Sequence, residues 1–217
     1  MPQDLWKPDT RWANQPCYIV GGGPSLSDFP WDVLTDKNVL GCNAAFYLGV
    51  RIIPTIVFGD NGFIDKHIDG LEDYAAVGGE IITLARQEGD TPSWLKVMKK
   101  NLAGLSTDGL AWNGNTGSAA INLALLFGAN PIYLLGYDMQ VSTDGRGNFH
   151  NAYGHKPMNE VYRRFKNGMK SLAGDLARLF PSRQVFNLED DTSALTVFPK
   201  QSLMKHFSLL EATNGAH

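Results

Sequence analysis

Short apolar runs alternate along this chain with longer stretches whose apolar residues recur at helical spacing. Cys17–Val20, Asn38–Cys42, Pro54–Phe58, Glu80–Leu84, Pro131–Leu135 and Gln184–Leu188 read as strands. Most are unbroken and rich in Val, Ile and Leu, the pattern of parallel strands covered on both faces. Between them the spacing predicts a short helix near Trp31–Leu34 and longer ones over Gly62–Ala76, Ser93–Leu102, Thr116–Phe127 and Met158–Phe180. The last carries Val161, Phe165, Met169, Leu172, Leu176 and Leu179 at helical spacing. A closing helix is expected over Gln201–Glu211. Strands alternating with helices predict an α/β fold, a mostly parallel sheet with right-handed crossovers.

Two regions break the alternation, Ala103–Asn115 and Tyr137–Pro157. A connection that long inside a compact domain is uncommon unless it has a task. Ligands of open α/β sheets bind at the carboxyl ends of the strands. The Tyr137–Pro157 loop and the turn after the first strand belong on that edge. That turn, Gly21-Gly22-Gly23-Pro24-Ser25-Leu26, has no side chains over three positions, so backbone amides can approach a phosphate. Pro24 presets the exit and Ser25 offers a hydroxyl as cap or ligand contact. The spacing is neither a dinucleotide fingerprint nor a P-loop.

Other candidate residues fall on the same edge. Asn43 closes the second strand, and Asp60-Asn61 the third. Asn43 suits a base or ribose, and Asp60 a ribose hydroxyl or a divalent ion, although both types also end strands through turn propensity alone. Asn113-Gly114-Asn115-Thr116-Gly117-Ser118 precedes an apolar helix. Asn115 or Thr116 is its N-cap, and the start is either a ligand site or simply a capped helix. The long loop holds Asp138, Asp144, Arg146, His150, Tyr153 and His155. An imidazole there can accept a proton from a hydroxyl, and Tyr153 or Arg146 can stabilise a leaving phosphate.

At 217 residues and a net charge of −3, the chain fits one domain, residues 1–217, without a basic stripe for nucleic acid. Its acidic residues are dispersed except for Glu189-Asp190-Asp191. Cys17 and Cys42 read as buried free thiols. No signal peptide and no run long enough for a membrane span is visible, so a cytoplasmic protein is expected. His67 and His206 read as structural or exposed, no zinc-ligand spacing occurs, and Ser25 lacks the nucleophile elbow of a hydrolase. The tryptophans and phenylalanines suit core or interface alike, which leaves a homo-oligomer open.

Taken in order, these motifs resemble the bacterial sialyltransferases that modify lipooligosaccharide, and accessory proteins of the same Rossmann-like fold. The resemblance rests on Gly21–Leu26, Gly41-Cys42-Asn43, Val57-Phe58-Gly59-Asp60, Asn115-Thr116-Gly117, Gly128–Asp138 and Tyr153-Gly154-His155-Lys156. It covers about Cys17 to Lys205. It implies a sialyltransferase-like GT-A variant fold in one domain, with an active-site loop at about 137–157 and a C-terminal helix. It implies a glycosyltransferase that takes a nucleotide-activated sugar, CMP-sugar favoured, and a hydroxyl acceptor, with no cofactor or metal required. Gly21, Gly23, Ser25, Asn43, Thr116 and Gly117 would line the nucleotide, together with Gly22, Asp60, Asn115 and Asp138. His155 would be the general base, assisted by Tyr153 and Arg146. Three departures stand out. Gly22 and Asp60 replace asparagines of the family, and a tyrosine supporting the leaving phosphate falls at about Gln140.

A related branch contains pterin pyrophosphokinases that use ATP and Mg²⁺, and Asp60 with Asp138 would suit that metal. A non-catalytic nucleotide-binding module is the remaining alternative.

Overall fold

Strand β1 (Cys17–Val20) is buried along its whole length, yet its alternate residues enter different layers. Cys17 and Ile19 pack into one apolar cluster, and Tyr18 and Val20 into another. A parallel strand needs this double cover. The computed structural model describes residues 5–84, 91–150, 152, 159–189 and 193–214, with Asn159 and residues 210–214 as backbone only. Its strands are β2 (Val39–Cys42), β3 (Thr55–Phe58), β4 (Glu80–Thr83), β5 (Leu95–Val97), β6 (Lys100–Asn101), β7 (Leu110–Ala111), β8 (Ile132–Leu135), β9 (Val185–Leu188) and β10 (Lys200–Gln201). Eight of them form one parallel sheet in the order β10-β9-β8-β1-β2-β3-β4-β5, and β6 and β7 form a separate parallel pair.

The helices are α1 (Gly62–Ala76), α2 (Thr116–Leu126), α3 (Asn159–Leu179) and α4 (Leu203–Asn214). Helix α2 with Met169 and Leu172 of α3 covers one face, while α1 and Phe207 of α4 cover the other. Thr116 and every residue from Ser118 to Leu125 are buried, so α2 has no polar side and reads as apolar all round. The chain builds outward from β1 through β5, then returns to the opposite side of β1 with β8. That reversal opens a crevice at the carboxyl ends of β1 and β8, where a doubly wound sheet takes its ligands. Register places the ends together: Val20 pairs with Leu135 of β8 and with Gly41 of β2.

The α/β architecture and its parallel sheet agree with the sequence, and all six expected strands and four of the expected long helices occur within a few residues. The expected helix over Ser93–Leu102 is instead two strands, β5 and β6. Leu95 and Val97 are buried while Lys96 between them is half-exposed, a period of two that a helical count of apolar residues overlooks. Lys96 then meets Glu80 of β4 at 2.5 Å. Part of the irregular region Ala103–Asn115 is ordered as β7, held against α2 by the buried Asn122. Its carboxamide accepts from Ser106 N (2.9 Å) and Ala111 N (3.0 Å) and donates to Ser106 O (2.8 Å). Cys17 and Cys42 are buried free thiols, as expected.

Candidate functional site

A cleft of about 360 Å³ lies on the carboxyl edge of β8, β1, β2 and β3. Its first wall is the glycine turn. Gly21 N donates to Leu135 O (2.8 Å) and Gly23 N to Gly136 O (2.9 Å), so the turn continues the pairing of β1 with β8. A Cβ on Gly21 would stand 2.7 Å from Gly136 O, and one on Gly23 would enter the Asp138 carboxylate. The glycines are there because the β8 exit leaves no room for anything larger. A Cβ on Gly22 would lie 2.9 Å from Asn148 Oδ1, which shows how closely the long loop sits on the turn. Phe149 N fixes that approach by donating to Gly22 O at 3.0 Å.

The second wall is the start of α2. Asn115 is the N-cap, its Oδ1 accepting from Ser118 N at 2.9 Å. The N–H groups of Thr116 and Gly117 ahead of Ser118 have no acceptor inside the helix, and the positive end of the helix dipole is toward the cleft. Asn113 (φ 48°) and Gly114 (φ 76°) reverse the backbone just before it. The Asn113 side chain brackets Gly104, accepting from its N–H and donating to its carbonyl, both at 2.8 Å. Thr116 Oγ1 donates to Asn43 Oδ1 at 3.0 Å, tying the helix start to the end of β2. Asn43 has φ 51°, a conformation that Asn tolerates better than most residues. Beneath, Tyr137 packs so tightly on Gly117 that a Cβ there would stand 2.8 Å from the ring, and its hydroxyl donates to Gly117 O at 3.1 Å.

Most of the expected ligand-facing residues therefore meet in one place: Gly21, Gly22, Gly23, Asn43, Asp60, Asn115, Thr116, Gly117 and Asp138 all line this cleft. Two do not. Ser25 turns its hydroxyl to Glu189 Oε1 at 2.5 Å, and its N–H to Asp138 Oδ2 at 2.9 Å. Arg146 is held by Ser27 Oγ (2.8 Å) and by Asp144 (2.6 Å) and is not among the lining side chains. Tyr153 and His155 lie outside the described residues, as does part of the 137–157 loop.

Four side chains that sequence reasoning did not assign to the site also line it: Phe63, Trp112, Tyr162 and Arg164. Val161 and Phe165 line it too, although their spacing marked them only as part of an apolar face. The amphipathic pattern of α3 was the available signal, but its first turns face the cleft and only the later Met169 and Leu172 enter the core. Trp112 fills the space above Gly59, and Lys100 Nζ stands 4.8 Å from its ring centre. Arg164 passes along Gly114, its Cδ 3.4 Å from a Cβ built there.

Electrostatics divide the cleft. At the β3 end, partial desolvation raises the Asp60 carboxyl, a shift opposed by the charges of Lys100 and Arg164. At the β8 end, Asp138 and Glu189 are both buried, and Glu189 is pushed up to about 8 by burial and by the neighbouring Asp138 carboxylate. Burial also holds the Cys42 thiol neutral, pushed up to about 12. Asp60 and Asp138 do not suit one shared Mg²⁺. They follow strands β3 and β8, which are three strand spacings apart, about 14 Å. Among the described residues no group of three or more His, Cys, Asp or Glu is placed to hold a metal ion.

No family model matches the sequence, and no curated protein matches it. By structure the chain is similar to the MAf glycosyltransferase of Magnetospirillum magneticum AMB-1, with 16% identity and a TM-score of 0.64 over 96% of this chain. It spans 38% of the length of that enzyme. It is also similar to the sialyltransferase CstII of Campylobacter jejuni solved with cytidine-5′-monophosphate, with 15% identity and a TM-score of 0.51. That match covers 85% of this chain and 84% of CstII. The same sialyltransferase with CMP-3FNeuAc aligns at 15% identity and a TM-score of 0.50, over 85% of each chain. The fold is that of these glycosyltransferases. No helix among the described residues is long and apolar enough to cross a membrane.

Proposed function

We propose that this protein is a glycosyltransferase that moves a sugar from a nucleotide-activated donor, a CMP-sugar in the favoured reading, to a hydroxyl acceptor. One observation carries the reading. The glycine turn, the Asn43–Thr116 pair and the start of α2 surround a single cleft at the switch between β1 and β8. Its size is that of a small-molecule site. The similarity in fold to CstII, solved with CMP, supports the choice of nucleotide.

In this reading the donor phosphate faces the first turn of α2, where backbone dipoles favour negative charge without a metal, and the glycine turn, bare of side chains, allows the close approach. Arg164, which packs along Gly114 beside the start of α2, also lines the cleft and supplies a cation. The acceptor oxygen attacks the anomeric carbon as the bond to the donor phosphate oxygen breaks, and that electron pair leaves with the nucleotide. The acceptor proton passes to a general base, His155 by the family resemblance. Trp112 and Phe165 form an apolar wall against which a sugar ring lies, with Asp60 beside it to accept from hydroxyls. The tyrosine the family places near Gln140 is absent, but Tyr162 reaches the same cleft from α3, its hydroxyl donating to Gly147 O at 3.2 Å.

Thermal shift and calorimetry with CMP, UDP, GDP and ATP, each with and without Mg²⁺, test the nucleotide. Metal-independent stabilisation by CMP is the expected result. Stabilisation by ATP alone and only with Mg²⁺ would replace this reading with a phosphotransferase. Binding without turnover over a panel of donors and acceptors would leave a non-catalytic module. Full transferase activity in His155→Ala would remove the proposed base.

A further inference from the structure

The Asp138 carboxylate poses a problem that the nucleotide reading leaves unsolved. The residue is 4% exposed, and its Oδ2 accepts from Ser25 N, yet its Oδ1 is buried with no donor among the N–H and O–H groups of the described residues. An unpaired buried carboxylate oxygen is costly, so such an atom calls for an explanation. The neighbour is Glu189, at the end of β9 and 3% exposed. Its Oε1 accepts from Ser25 Oγ at 2.5 Å. Two carboxyl groups this close and this dry do not both ionise.

We propose that Asp138 and Glu189 share one proton, and that this protonated pair clamps the glycine turn of the cleft through both the N–H and the hydroxyl of Ser25. The proton resides on Glu189, which donates to Asp138 and satisfies the orphaned oxygen. Glu189 is thus a positioning residue. It touches no ligand, and it acts through Asp138 and Ser25 on Gly21–Gly23.

Two donors oppose protonation of Glu189, the Ser25 hydroxyl and the Gly136 N–H, but burial and the Asp138 charge outweigh them, and the Tyr162 hydroxyl on α3 is near Asp138. The basic groups on adjoining segments are committed elsewhere: Lys200 Nζ to Ser193 O at 2.8 Å, and Arg146 to Ser27 and Asp144. Burial and the Asp138 charge push Glu189 up to about 8. Loss of the proton to solvent leaves two adjacent carboxylates behind the turn. They repel each other, pull on Ser25, and add negative charge next to where an anionic ligand would sit. All three effects weaken ligand binding.

The sign for stability is fixed by linkage. A carboxyl raised in the folded state binds more proton there than in the unfolded chain, so stability falls as pH rises from about 4.5 to about 8 and then levels off. The experiment is urea unfolding of the wild-type protein, Glu189→Gln and Asp138→Asn across pH 5 to 9.5, together with CMP calorimetry over the same range. Glu189→Gln keeps a hydrogen-bond donor and cannot ionise, so its stability should flatten over that interval. Its CMP affinity should hold where the wild type loses up to about tenfold per pH unit above about 8. Superimposable pH profiles for wild type and Glu189→Gln would overturn the proposal. If Glu189→Gln fails to fold, difference infrared spectroscopy of the wild type decides: a protonated carboxyl band must titrate near pH 8, and its absence sinks the idea. The clamp rests on the nucleotide reading only for its effect on affinity. Absence of CMP binding at every pH, with the stability profile as predicted, would break that reading and leave the shared proton standing.

Discussion

The two ends of the cleft are built by opposite means. At the β8 end the surface is backbone: three glycines, the Gly136 carbonyl beneath them, and a buried carboxyl pair behind. At the β3 end it is side chain: Trp112 over Gly59, Phe63, Phe165, and the Asp60 and Arg164 charges. Backbone surfaces recognise what every nucleotide has, a phosphate and a close approach. Side-chain surfaces recognise what differs between substrates. The first end is therefore intolerant of change, whereas the second is free to vary, and substitutions should separate them.

The largest effect is expected at Gly23. Its backbone is extended (φ −61°), so no conformational barrier opposes a side chain there, only the space taken by Asp138 and by Gly136 O at 2.5 Å. Gly23→Ala should destabilise by about 1–3 kcal/mol, read by urea unfolding, and should abolish nucleotide binding. Asn115→Ala follows. It removes the cap on Ser118 N and a buried carboxamide that donates to Ser118 Oγ at 3.0 Å, at a cost of about 1–2 kcal/mol in the same assay.

At the other end the decisive readout is substrate affinity rather than stability, since Trp112 also packs on Gly59 and against the core and its truncation destabilises as well. Trp112→Ala should raise the acceptor KM about tenfold, the equivalent of about 1.4 kcal/mol, with CMP affinity unchanged. A joint loss of both affinities would erase the distinction between the two ends. Asp60→Asn should give the smallest change. The Asp60 carboxyl is raised on folding, so its ionisation lowers stability as pH rises above the ordinary carboxylate range, and the amide should remove this weak dependence in a thermal melt.

Those same differences decided what the sequence revealed. Gly21–Gly23, Asn43 and Asn115–Gly117 announce themselves because turn and cap chemistry is local: a few adjacent residues state the backbone they need. The strands were legible for the same reason, each a short apolar run. Arg164 and Trp112 were not, because they meet only through the crossing of α3 over Gly114 and the packing of Trp112 over Gly59. Glu189 stood out only as part of a short acidic cluster, since nothing in its neighbours foretells that β9 ends beside β8. The strand β5 was misread because Leu95 and Val97 sit where either period accommodates them. Tyr153 and His155, named from loop chemistry and from the resemblance, lie outside the described residues.

Helix α2 has a consequence for how any substrate must fit. With Thr116 and all of Ser118–Leu125 buried between the sheet and α3, it has no solvent side along which to slide or tilt. Moving its first turn by the width of an atom would mean reopening the hydrophobic interior. The rim at the start of α2 is thus a fixed mould, and under the proposed function accommodation between one substrate and the next falls to the residues of α3 and the loop after β8.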